Sequence, residues 1–155
     1  MEDITLHLAN ENDIQTLIDY RVEFLKLVFG EPSEEAIAEL KKTLLVYFKK
    51  ELGQNYLSYI AKSGDTIAGM GGMIVREQPG NFKNPLGKMG YFVNMYTLPA
   101  FRKKGVCSAI LKALINDATA NGIGVFELHA TQEGERVYIK EGFKLHDEPT
   151  YRLLI

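Results

Sequence analysis

The chain has 155 residues, 46% hydrophobic and 25% charged, enough apolar material to bury one core without staples. Its formal net charge of −2, from 18 basic and 20 acidic residues, argues against a protein that holds nucleic acid through phosphate contacts. A single cysteine, Cys107, excludes an intrachain disulfide, no apolar run approaches the ~20 residues of a membrane span, and the acidic start Met1-Glu2-Asp3-Ile4 leads into no apolar signal segment, so a cytoplasmic protein is expected.

Ile4 to Leu8 alternates apolar and polar side chains and predicts a strand. Asn10 or Asn12 can cap a first helix, whose apolar stripe runs Ile14, Leu17, Ile18, Phe24, Leu25, Val28 before Gly30 and Pro32 break it. Ser33, followed by Glu34 and Glu35 where the helix dipole favours negative charge, predicts the start of a second helix that Gly53 closes. The period then switches to two. Tyr56 to Lys62 and Thr66 to Glu77 read as a hairpin about Ser63-Gly64-Asp65, and residues 78–88 as a loop. Gly69-Met70-Gly71-Gly72 falls inside the second of these strands with no helix after it, which points to close packing or a bulge.

Met89 to Thr97 predicts a fourth strand, and a helix carrying Ile110, Leu111, Leu114, Ile115 and Ala118 follows to Asn121-Gly122. Val125 to Ala130 is a fifth strand and Glu133 to Glu141 a short helix ended by Gly142. Phe143 to Leu145 and Tyr151 to Ile155 read as a final strand pair. The order β-α-α-β-β-β-α-β-α-β-β, with no repeat or linker, predicts one α/β domain over residues 1–155 with helices on both faces. The unit from Met89 to Ala130 is expected to be a right-handed parallel crossover.

Between the fourth strand and its helix lie Arg102-Lys103-Lys104-Gly105-Val106-Cys107-Ser108. The first turn of a helix exposes unpaired N–H groups and about half a positive charge, and so attracts anions, phosphates above all. Gly105 lets a ligand approach the backbone, three cations add charge, and Ser108 offers a hydroxyl. A solvated basic turn would have the same spacing. The stretch is neither a Walker loop, which ends Gly-Lys-Ser/Thr, nor a dinucleotide fingerprint, whose later glycines are missing.

Arg102-Lys103-Lys104-Gly105-Val106-Cys107 resembles the acetyl-CoA signature of the GNAT N-acetyltransferases, Arg/Gln-x-x-Gly-x-Gly/Ala, and is preceded by Tyr96-Thr97-Leu98-Pro99 as in that family. Leu128-His129-Ala130-Thr131 and Gly134-Glu135-Arg136-Val137-Tyr138-Ile139-Lys140-Glu141-Gly142-Phe143 resemble its fifth strand and Tyr-x-x-x-Gly-Phe segment. Cys107 departs from the small sixth residue, and Thr131 stands where the family often has a cofactor-contacting asparagine.

The resemblance implies a mixed, mostly antiparallel sheet with a central, splayed parallel pair, and acetyl-CoA as cosubstrate. It implies that the backbone of Met95, Tyr96 and Thr97 holds the pantetheine arm, with an N–H near Met95 as oxyanion donor, and that the amides from Lys103 to Ser108 hold the pyrophosphate. Tyr138 takes the position of the acid that protonates the leaving thiolate; the competing reading is a ring that merely packs. Glu127 and His129 share a strand face and are candidate bases, histidine being the type that titrates near neutrality, with Glu23 and a water relay as alternatives.

Cys107 near a helix N-terminus could be a nucleophile, but no orienting base lies nearby in sequence, so packing is favoured. His7, His129 and His146 lack ligand-like spacing, so no metal is expected. The expected acceptor is an amine of a small molecule or peptide. Asp19, Glu23, Glu31, Glu34 and Glu35 make the first two helices acidic and lean toward a cationic one. A homodimer through the apolar Tyr151 to Ile155 edge is expected. A non-catalytic acyl-CoA-binding domain is the alternative, and a nucleic-acid partner is disfavoured.

Overall fold

The computed structural model describes residues 3–155. Five strands form one sheet in the order β1 (Ile4–Leu8), β2 (Tyr56–Ser63), β3 (Thr66–Glu77), β4 (Lys88–Thr97), β5 (Phe126–Glu127). The first four are antiparallel, and β5 joins β4 in parallel. Helices α1 (Ile14–Phe29) and α2 (Glu34–Glu51) cover one face, and α3 (Val106–Ala120) the other, with the short α4 (Glu135–Lys140) contributing Tyr138 to α3's cluster.

Local signals set the helix starts. Asn10 caps the 3-10 turn Glu11–Asp13 that leads into α1, with Asp13 reaching back to the Asn10 amide at 2.8 Å. Ser33 accepts from the Ala36 amide at 3.2 Å to open α2. The sheet divides the core in two. Leu17, Ile18, Val22, Phe48, Tyr56 and Ile60 pack on the α1/α2 side. Met73, Phe92, Val106, Ile110, Leu111 and Leu114 pack on the α3 side.

The glycine run of β3 shows the close packing expected of it. A side chain on Gly69 would meet the Tyr96 carbonyl oxygen at 2.8 Å, and one on Gly71 would run into Met95 and Ile110. One on Gly72 would run into the Tyr56 ring. The β3–β4 register also shifts between Met70 and Gly72, which marks a bulge.

Two segments differ from expectation. The fifth strand is regular only over Phe126–Glu127 rather than Val125 to Ala130, because β4 bends away beyond it. The final pair at Phe143 to Leu145 and Tyr151 to Ile155 is not strand: after Phe143, which packs at 6.0 Å on both Phe92 and Tyr138, the chain finds no sheet neighbour. The β4–β5 pair therefore lies at the end of the sheet. Leu145, Tyr151, Leu153, Leu154 and Ile155 are each at least 83% exposed, so no part of this chain covers them.

Gly72→Ala tests the close packing of β3. A methyl there forces the buried Tyr56 ring to shift, and overpacking of this kind costs about 1–3 kcal/mol in urea denaturation. A change under about 0.5 kcal/mol, the range of a bland surface substitution, would contradict it.

Candidate functional site

The site is built around the carboxyl-terminal half of β4. Met70 pairs with Tyr96 but Gly72 with Val93, so β4 carries one extra residue there, and Asn94 takes it up at φ 58. Asparagine is among the few side chains that tolerate this left-handed conformation. The extra residue resets the alternation. Val93 packs with the α1/α2 core, and Asn94 turns to the same side instead of the opposite one. Met95 then packs with the α3 core.

Asn94 is buried and its amide is used at both ends. Its Nδ2 donates to the Tyr56 hydroxyl at 2.8 Å, and its Oδ1 accepts from Arg21 Nη1 of α1. Burial of Tyr56 pushes its phenol well above the usual range, so it stays neutral. Burial also pulls the half-buried Arg21 guanidinium down, opposed by nearby Tyr56 and Tyr47. Tyr20 and Phe24, flanking Arg21 on α1, set their rings 6.2 and 6.3 Å from Tyr96. Helix α1 is thus clamped across β4 at the bulge.

On its other edge β4 loses its partner. It pairs with β5 only at Gly90–Phe126 and Tyr91–Glu127, the Gly90 amide donating to Val125 O at 2.9 Å. Of residues 92–97, Phe92, Val93, Tyr96 and Thr97 pair with β3, and none pairs with β5. A bulge bends its strand and sharpens the twist, which accounts for the divergence. Phe92 stacks on Phe126 at 5.8 Å and closes the foot of the opening.

Above the opening lies the basic turn. The Leu98 amide donates to Ala68 O at 2.9 Å, Pro99–Phe101 forms a 3-10 turn, and Arg102 Nε donates to Thr97 O at 3.2 Å. Lys103 at φ 62 and Gly105 at φ 80 are both left-handed, and α3 starts at Val106 with no side-chain cap. A Cβ on Gly105 would meet nothing within 4 Å, so the turn needs this glycine for its backbone angle and leaves open space above it. The first-turn amides of Val106, Cys107 and Ser108 precede any i−4 partner within the helix and face that space, flanked by exposed Arg102, Lys103 and Lys104. Val106 is buried, while Cys107 and Ser108 are half-buried.

Tyr138 of α4 comes up beneath this turn. Its hydroxyl neighbours the Cys107 thiol, and burial pushes both groups above their ordinary range. Thr131 is used locally: its Oγ1 accepts from the Gly134 amide at 3.2 Å and its carbonyl from Glu135 at 3.1 Å, forming the entry to α4. Glu127 and His129 are on the other face of the sheet. Phe126 and Leu128 pack toward α3, whereas the His129 ring lies 5.7 Å from the ring of Tyr91, over which the Arg76 guanidinium sits at 3.7 Å.

The structure therefore gathers Tyr138, Cys107 and the α3 amides on one side of the opening, and Glu127, His129, Asn94 and Arg21 on the other. Three of the acidic residues of the first helices form surface pairs: Glu23 and Glu31 with Lys26 at 3.4 and 3.5 Å, Asp19 with Lys41 at 3.7 Å. Among the described residues no three His, Cys, Asp or Glu side chains group as metal ligands.

Arg21, Asn94 and Tyr56 are missing from the sequence reading. The signal was a cation on the apolar stripe of α1, between Ile18 and Leu25, and a lone asparagine in an aromatic strand.

An α/β sheet opened between parallel neighbours, with an uncapped helix N-terminus and three cations at its mouth, is an arrangement suited to a phosphate-bearing ligand. Residues 28–154 match the model of the acetyltransferase (GNAT) domain, and the chain belongs to that family. No curated protein matches the sequence significantly. Among solved structures it is similar to a predicted acetyltransferase with acetyl-CoA from Clostridium acetobutylicum, at 28% identity and TM-score 0.86 over 97% of this chain and 96% of that one. A GCN5-related N-acetyltransferase from Ralstonia eutropha shares the fold at 20% identity and TM-score 0.84, over 97% and 99%. AAC(6')-Iy, in complex with the bisubstrate analog CoA-S-monomethyl-acetylneamine, shares it at 16% and 0.71, over 99% of each chain.

Asn94→Ala tests the clamp. It strips the Tyr56 hydroxyl and Arg21 of their partner inside the protein, at about 1–3 kcal/mol for a group left unsatisfied. Urea denaturation is expected to show at least the lower figure, and unchanged stability would contradict the clamp.

Proposed function

We propose that this protein is an N-acetyltransferase that moves the acetyl group of acetyl-CoA onto an amine of a small molecule or peptide by direct attack in a ternary complex. The observation that carries this reading is the divergence of β4 from β5 directly beneath the uncapped N-terminus of α3. The similar Clostridium protein with acetyl-CoA supports the choice of donor, and the bisubstrate analog in AAC(6')-Iy is consistent with an amine acceptor.

In this reading the amides from Lys103 to Ser108 hold the pyrophosphate, with the three cations adding charge. The free backbone edge at Met95, Tyr96 and Thr97 pairs with the pantetheine arm. The thioester carbonyl then faces the bulge, where the Met95 N–H stabilises the oxyanion of the tetrahedral intermediate. The amine arrives from the α1/α2 face, where Glu127 or His129, directly or through water, removes its proton. As the C–S bond breaks, Tyr138 donates to the thiolate from the α3/α4 side.

Burial keeps the Tyr138 proton on at neutral pH. The same dry surroundings raise the Cys107 thiol, and a departing thiolate there gains proton affinity likewise, which favours transfer from the phenol. Cys107 is a packing neighbour of this acid rather than a nucleophile: burial raises its thiol, the opposite of what an activated thiolate needs. The lone half-buried thiol suits a reducing cytoplasm.

The second partner is a copy of the same chain. β5 ends the sheet with a free edge, and the apolar run Tyr151 to Ile155 is uncovered by its own chain, so in a homodimer the tail of one protomer covers the sheet edge of its partner. Light scattering at tens of micromolar is expected to give twice the chain mass, and the mass of one chain once residues 151–155 are removed. A full-length protein with the mass of one chain would overturn the dimer.

The chemistry is tested by release of CoA thiol over a panel of amines, with Tyr138→Phe beside the parent. Loss of the acid lowers kcat by about 10²–10⁴-fold while acetyl-CoA affinity and Tm stay nearly the same. With the phenol raised above its ordinary value of about 10, no alkaline fall in rate from Tyr138 is expected below that pH. Lower stability with kcat per folded molecule intact would make the hydroxyl structural. Acetyl-CoA binding with no thiol released for any amine would indicate a binding domain.

A further inference from the structure

The proposed transfer makes no use of Arg21, and nothing in the fold requires a charge there. Its guanidinium is half-buried in the α1/α2 layer, against Asn94, Tyr47 and Tyr56, on the face from which the amine arrives. Among the described residues only Nη1 is engaged, donating to Asn94 Oδ1. Among the described residues Nε and Nη2, the edge that meets a carboxylate in a two-pronged pair, have no protein acceptor, and no carboxylate forms an ion pair with Arg21.

The nearby acidic residues are used elsewhere. Glu23 and Glu31 pair with Lys26, Asp19 with Lys41, and Glu51 with Lys50. A cation held partly out of water beside neutral groups alone is costly, and an anionic partner relieves the cost. Asn94 fixes the guanidinium to the residue that forms the bulge, one position before Met95. An anion on its free edge therefore lies beside the strand where the acetyl group is presented.

Resting on the acetyltransferase reading, we infer that Arg21 is the anchor for a carboxylate on the acceptor, so that the acceptor is an amino acid or a peptide end carrying a carboxylate near the reactive amine. The planar carboxylate fits the free two-nitrogen edge, and Tyr20, Phe24 and Tyr96 form an aromatic wall beside it for the remainder of the molecule. The acidic residues nearest Arg21 do not oppose this, because Asp19, Glu23 and Glu31 are paired with lysines at the surface.

The test uses amino acids, each matched with its carboxamide and its decarboxylated amine, and measures CoA thiol release by the parent, Arg21→Gln and Arg21→Lys. The parent is expected to prefer at least one acid over its amide by tenfold or more in kcat/KM. Arg21→Gln is expected to lose about 10–100-fold on that acid, mainly through KM, and at least tenfold less on the amide, the range for a hydrogen bond to a charged group. Arg21→Lys keeps the charge without the fork and falls between. Thermal melting of the three proteins checks folding, and Arg21→Lys carries the test if Arg21→Gln does not fold.

Amines or amides preferred by the parent, or acid and amide losses of equal size in the folded variant, would overturn the carboxylate anchor and leave acetyl transfer standing. If no acceptor of any class is acetylated, the enzymatic reading fails. Calorimetry with the N-acetylated acids and CoA then decides the anchor: binding weakened at least tenfold in the variant upholds it, and absent or equal binding overturns it.

Discussion

The left-handed turn at Asn94 is the constraint on which the rest of the site depends. One extra residue in β4 sends Met95 to the α3 side and Asn94 to the α1 side, and it bends the strand away from β5. Such a kink in a buried strand interrupts the ladder and places an amide side chain among apolar neighbours. It persists because Asn94 is hydrogen-bonded at both ends, to Tyr56 and to Arg21, and no buried side-chain polar atom among the described residues lacks a partner. Gly71 and Gly72 complete the support from β3, since a side chain at either would strike Met95 or Tyr56.

That geometry separates two chemical environments across one sheet. On the α3 side are the helix N-terminus, the basic turn and Tyr138, with its proton secured by burial: groups suited to holding a phosphate-bearing thioester and receiving its sulfur. On the α1 side are Arg21, Glu127, His129 and a set of aromatic rings, suited to an amine and what surrounds it. In the proposed reaction donor and acceptor meet through the gap between β4 and β5, so neither side's groups need to move past the other.

Much of this is written locally in the chain. The Ser33 cap, the Asn10 capping box and the strand–cations–glycine–helix order from Thr97 to Val106 follow from residues a few positions apart, and the structure reproduces them. The glycine run at Gly69 to Gly72 announced a bulge or close packing; it packs closely, and the extra residue opposite it belongs to β4. What escaped depends on partners distant in sequence. Arg21 and Asn94 are 73 residues apart, and neither alone signals the other. The short β5 and the missing C-terminal strand pair have a related cause: alternation marks residues able to join a sheet, but pairing needs a neighbour, and past Glu127 and Phe143 this chain provides none. Thr131 stands where the family often has a cofactor-contacting asparagine, and its hydroxyl accepts from the Gly134 amide at the turn into α4.

The most direct measurement of the central claim is amide hydrogen exchange with and without acetyl-CoA. Slower exchange in two separate segments, residues 95–97 of β4 and residues 103–108 at the start of α3, is the predicted result, because one ligand would cover both the free strand edge and the helix N-terminus. Acetyl-CoA that binds while leaving both segments unchanged, or that protects only surfaces away from the β4–β5 opening, would contradict it.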